Sequence, residues 1–174
     1  DVPVSHAFDP ATDAPLAYWT GERRRAAELP PLASVPGAAT SSPEIRVEPA
    51  TDLADPSAPV ADGSTDGARD YGSKKRKVGK LFFRRDGQDL YCSASVVTAP
   101  GRSLVHTAAQ CLVRAGRWSD KVVFVPQYTY REPRGLGAYA ARHAVVPRGW
   151  ARSQRSTHDV GFVVVRPFRG QPLA

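Results

Sequence analysis

Residues 104–113 read LVHTAAQCLV. Ser103–Thr107, SLVHT, is a short apolar run suited to a strand. Ala108–Leu112, AAQCL, reads as one helical turn that carries Gln110 and ends by Cys111. A strand that turns over into a cysteine needs neighbours to pair with and a second sulfur to meet.

Both are present in the flanking text. Upstream, KVGKLFF (77–83) is a strand candidate, Asp86-Gly87 is a hairpin turn signal, and DLYCSASVV (89–97) is a second strand. In that second strand Leu90, Cys92, Ala94 and Val96 share one face, because successive side chains alternate. Pro100-Gly101 marks the turn into SLVHT. Downstream, KVVFVPQY (121–128), GAYAARHAVVP (137–147) and DVGFVVVRPF (159–168) supply three more strands. Six short strands separated by turn signals, without a βαβ rhythm, predict an all-β fold: a six-stranded antiparallel barrel or sandwich over residues 77–174.

The chain has two cysteines, Cys92 and Cys111. They flank a strand, a turn, a strand and a helical turn, a path that can fold back on itself to close a disulfide. Two unrelated buried thiols are the alternative. No run of 18 apolar residues occurs, which excludes a membrane-spanning helix. The chain begins at Asp1 rather than Met, which reads as a processed, exported protein, and export favours the bridge.

The N-terminal part is of different character. Residues 1–70 hold 12 acids and 5 bases, a net of −7, whereas residues 71–174 hold 5 acids and 19 bases, a net of +14. Ten of the 16 prolines lie in the first 70 residues. Residues 1–37 contain the island LAYWTGERRRAAELPP, in which Thr20 is a candidate N-cap for a helix over 20–29 that stops at Pro30-Pro31. Residues 38–76 form an acidic, Pro-rich linker too poor in apolar side chains to offset its ordering entropy. It ends in a basic KKRK run at 74–77. With no aromatic residues interleaved, that run reads as a processing site or hinge rather than a nucleic-acid contact. The opposite charges of arm and barrel predict that the arm lies across the barrel, anchored by Tyr18 and Trp19.

The stretch VGKLFF…YCSASVV…GRSLVHTAAQC resembles the N-terminal barrel of a trypsin-like serine peptidase, of the secreted bacterial branch near the glutamyl endopeptidases. The resemblance covers residues 77–168. The cysteine pair brackets the same strands, and TAAQC lies where that family has its catalytic His followed by Cys. HDVGFVVV resembles the stretch with the catalytic Asp, which maps onto Asp159, 49 residues after Gln110. YWTGERRRAA is similar to prosegments of actinobacterial members. The resemblance implies half of a two-barrel peptidase, made by bacteria and secreted.

Two departures bear on activity. The family His accepts the serine proton and returns it to the leaving amine while Asp orients the ring. Gln110 has no second protonation state to offer, and loss of such a base costs on the order of 10⁶ in turnover. The family's nucleophilic serine sits in a GxSGG-type turn of a second barrel, and no such motif occurs in these residues. The remaining histidines do not replace the base: His106 reads as a packed or rim residue, His158 as an exposed neighbour of Asp159, and His143 and His6 carry no partner signal. No close Cys/His cluster suggests a metal, and no cofactor is implied. The expectation is an inactive N-terminal portion of a secreted endopeptidase, or a pseudopeptidase used for binding or assembly. Its expected partner is a complementary C-terminal chain carrying the serine, or another copy of itself. A peptide or protein would be the substrate of an active form.

Overall fold

The computed structural model describes residues 2–31, 77–128 and 137–174. The 38–76 linker, including Lys74, Lys75 and Arg76 of the basic run, lies outside the described residues.

The sheet begins with a hairpin. Strands β2 (Val78–Arg85) and β3 (Gln88–Val97) pair from Val78↔Ser95 to Arg85↔Gln88. Asp86 and Gly87 both take positive φ, 51° and 79°, the conformation a two-residue type I′ turn demands. β4 (Leu104–Thr107) returns along β3. A 3₁₀ turn (Ala109–Cys111) leads to a small hairpin, β5 (Val113–Arg114) and β6 (Arg117–Trp118). β7 (Asp120–Pro126), β8 (Tyr139–Val146), a short helix (Arg148–Ser153) and β9 (Gly161–Val165) complete the chain.

In space the order is β7-β2-β3-β4-β9-β8, and β8 also pairs with β7. Six antiparallel strands therefore close into a barrel. Closure removes the unpaired edges that would otherwise recruit other chains. The interior follows the alternation expected of strands. Leu81, Phe83, Val105, Leu112, Val122, Phe124 and Val163 are fully buried, joined by Leu90, Cys92 and Ala94 from β3. A second cluster of Phe82, Val123 and Val125 lies on the outer side of β2 and β7. Gly79 is required where these two strands meet, since a Cβ there would stand 2.3 Å from the Val125 carbonyl oxygen.

The arm is built onto this barrel. β1 (Val4–Ala7) pairs antiparallel with β8, from Val4↔Val146 to Ala7↔His143. It takes the edge of β8 that β7, paired only to Tyr139 and Ala140, leaves open. Phe8 follows into the main core, and its N–H bonds the Arg142 carbonyl. Two one-turn helices, α1 (Pro10–Asp13) and α2 (Pro15–Tyr18), carry the chain to Trp19, which is buried at 3% exposure against Phe82, Val123 and Val125. The third helix, α3, spans Gly21–Ala26, with the Thr20 hydroxyl accepting from the Arg23 N–H at 3.2 Å. It starts where the N-cap signal puts it. It ends short of Leu29 because Glu28 turns into a parallel bridge with Leu90, the Tyr91 N–H bonding the Glu28 carbonyl at 2.8 Å.

The contacts of the arm differ from the net-charge expectation. Arg23, a base of the acidic arm, pairs with Asp89 of the basic barrel at 2.8 Å, while Asp13 pairs with Lys121 in the expected sense. Backbone pairing and buried aromatic area hold the arm, since partly exposed ion pairs contribute only about 0–1 kcal/mol each. No helix among the described residues is long and apolar enough to cross a membrane.

Candidate functional site

Gln110 is the middle residue of the 3₁₀ turn that follows β4. Three independent ties fix that turn. Cys111 is bonded to Cys92 on β3, with the two Cα atoms 6.4 Å apart. Ser119, buried, donates its hydroxyl to the Cys111 carbonyl at 2.9 Å. Arg85, at the end of β2, donates Nη2 to both the Gln110 carbonyl and the Ser119 hydroxyl at 2.7 Å. The aliphatic body of the turn is sealed by Leu112, which has no exposed surface.

Asp159 reaches the same place from the other end of the sequence. Ser156–His158 forms a second 3₁₀ turn, and the Asp159 N–H closes onto the Ser156 carbonyl at 3.1 Å. Its carboxylate Oδ1 then accepts the Gln110 backbone N–H at 2.8 Å. Gly161, at the start of β9, lets the two turns approach: a Cβ there would lie 2.7 Å from the Leu112 Cδ1 and 3.2 Å from the Ala109 Cα. Both sequence-selected positions, 49 residues apart, are thus joined by one hydrogen bond, and both are half-buried. This is a carboxylate held against the backbone of a largely buried turn. The Gln110 backbone N–H contacts the Asp159 carboxylate. The amide of Gln110 cannot use it for proton transfer.

The histidines fall elsewhere. His106 is exposed on β4, its ring 5.3 Å from Phe162. His158 departs from the exposed strand position expected of it. It lies on the 3₁₀ turn, half-buried, with its ring against Gly149, where an added Cβ would be 2.8 Å from Cδ2. His6, which carries no sequence signal, stacks on Trp118 at 5.0 Å and meets Phe8 edge-on at 4.9 Å. Burial lowers its pKa, with Asp13 opposing. Among the described residues no group of three His, Cys, Asp or Glu side chains could hold a metal ion.

Sequence reasoning missed Arg85, Ser119 and Gly161. Gly161 had a readable signal, since a lone glycine at the head of an apolar strand marks a close backbone approach. Arg85 had none, because a buried arginine and a solvated one look alike in RRDGQ.

No protein-family model and no curated protein sequence matches the chain. Solved structures do, two proteases among them. A thermostable serine protease, AL20, from an extremophilic microorganism is 33% identical over 57% of this chain and 46% of its own, with a TM-score of 0.53. The protease Anisep from Arthrobacter nicotinovorans is 33% identical over 57% of this chain and 45% of its own, with a TM-score of 0.52. The chain therefore spans about half the length of the proteases it is similar to. Its six-stranded barrel is a trypsin-like, protease-related fold whose structural neighbours are bacterial serine proteases.

Proposed function

We propose that these residues are the N-terminal portion of a secreted trypsin-like serine endopeptidase, catalytically silent in this form because Gln110 occupies the place of the general base. The Gln110 N–H to Asp159 hydrogen bond, at 2.8 Å, is the observation that carries the reading. It puts a carboxylate at the turn where a base would need orienting, on a barrel similar to those of serine proteases. The Cys92–Cys111 bridge fits an oxidising, extracellular compartment. A pseudopeptidase that uses the same barrel for binding or assembly is the second reading. It is favoured by how fully the Gln110 turn is pinned without a base on it.

A complementary barrel carrying the serine belongs to this proposal, and the outer face of the sheet is the surface on which it would pack. Leu104, Val145, Phe162 and Val164, on neighbouring strands, are paired across β4, β9 and β8 and half-buried. They alternate with the inward Val105, Ala144, Val163 and Val165. The exposed large apolar side chains among the described residues are instead scattered: Val2, Leu16, Leu29 and Val78. The face is therefore suited to packing without being an open apolar sheet.

Two results are expected. A fluorophosphonate probe will label neither this chain nor its Gln110→His variant when no serine-bearing chain is present. Labelling of either would overturn the reading of an absent nucleophile. Light scattering on the purified protein will show a mass above the 18.8 kDa of one chain. The added mass will be a C-terminal barrel or a second copy, and a stable monomer without a second polypeptide would contradict the packing role of this face.

A further inference from the structure

Behind the Gln110 turn, where the end of β2 meets the β5–β6 hairpin, lies a cavity of about 290 Å³. Arg85, Arg114 and Arg117 line it, together with Asp86, Gln88 and Pro31. Its charges do not balance. Asp86 is paired to Arg117 at 2.9 Å. Arg114 donates Nη1 to the Pro31 carbonyl at 3.0 Å, a neutral acceptor. Arg85 is 7% exposed and lies over the Phe83 ring. Its Nη2 bonds are to a carbonyl and a hydroxyl, and its Nε has no hydrogen-bond partner. Among the described residues, neither Arg85 nor Arg114 meets a carboxylate within ion-pair distance.

A guanidinium that is buried without a counter-ion is costly, and a second one beside it raises that cost. Burial, and then repulsion from Arg114, lower the Arg85 pKa to about 10, with Asp86 opposing only in part. The missing element is a negative charge with several acceptor oxygens, the chemistry that arginine forks bind best.

We propose that this cavity is a binding site for a small oxyanion, of the phosphate or carboxylate type, held by Arg114 and Arg85 with Arg117 at the rim. The volume is at the low end of ligand cavities, which suits a small anion rather than an extended chain. The site does not depend on any peptidase activity. It is nevertheless coupled to the candidate site by one residue, because Arg85 also holds the Gln110 carbonyl. An anion drawing on Arg85 would be felt at the Gln110 N–H to Asp159 bond on the other face of the turn.

The test is a titration of the whole chain with inorganic phosphate and, separately, with glutarate. Sodium chloride at matched ionic strength is the control, and the Gln110 backbone amide is followed by NMR. Saturable shifts with a Kd on the order of 1 mM are expected for at least one of the two anions. Arg114→Gln, at a half-exposed position that leaves the core intact, should weaken that binding about tenfold, the loss of one charge-assisted hydrogen bond. Arg102→Gln, an exposed change of equal charge on the turn before β4, should leave it within about twofold. Shifts that follow ionic strength alone, or equal weakening by Arg102→Gln and Arg114→Gln, would overturn the proposal.

Discussion

Trp19→Ala should cost this protein about 3–5 kcal/mol, the range for emptying a large aromatic site. The indole is 3% exposed and sits among Phe82, Val123 and Val125. Its ring lies 5.3 Å from that of Phe82, and its Nε1–H donates to the Lys121 carbonyl. Truncation would leave a cavity and remove the indole donor from the part-buried Lys121 carbonyl. The neighbouring polar contacts cannot compensate. Arg23 and Asp89 pair at 2.8 Å, but Arg23 is 47% exposed, so solvent screens most of that attraction. The arm would also loosen selectively, because β1 and Phe8 retain their own anchorage on β8 and in the main core. Urea unfolding gives the total loss. Amide exchange should speed up over residues 16–29 and less over β1. Fast exchange over 16–29 in the unmodified protein would refute the docked arm, and a loss below about 1 kcal/mol would place its anchorage elsewhere.

Removing the disulfide by a Cys92→Ala/Cys111→Ala double substitution should cost about 3 kcal/mol. The sulfurs close a loop of sequence separation 19, so the dominant effect in the chain-entropy view is freedom restored to the unfolded state. A smaller native-state cost adds to it, since the two cysteines are 8% and 1% exposed and their loss thins the core. The Gln110 turn should keep its place all the same. Arg85 still holds the Gln110 carbonyl, and Leu112 still plugs the barrel. Denaturant midpoints of the oxidised protein and the double variant measure the first effect, and the chemical shift of the Gln110 amide reports the second. Unchanged midpoints would mean that the loop is already constrained in the unfolded chain. A lost Gln110–Asp159 signature would mean that the bridge, rather than Arg85, positions the turn.

The barrel was legible in the sequence because its signals are local. The Asp86-Gly87 turn, the alternation of Leu90, Cys92 and Ala94, and the apolar runs at 121–128, 137–147 and 159–168 each report on a strand by themselves. The pairing of Cys92 with Cys111 was also foreseen. β1 was not, because VSHA carries no alternation long enough to read, and its partner Tyr139–Val146 lies over a hundred residues away. The same limit hid the shortened α3: its end is set by Glu28 bridging Leu90, not by Pro30. The β5–β6 hairpin was missed because two-residue strands are defined by their pairing, not by their composition.

The amino-acid sequence by itself determined the six barrel strands and the disulfide, since these follow from side-chain chemistry and short-range spacing. Only the tertiary structure decided that the N-terminal arm adds a strand beside β8, that Arg85 is buried beneath the Gln110 turn, and that three arginines surround one cavity. Each of these depends on which distant surfaces meet. Burial and desolvation, not residue type, turn an ordinary arginine or tryptophan into an anchor.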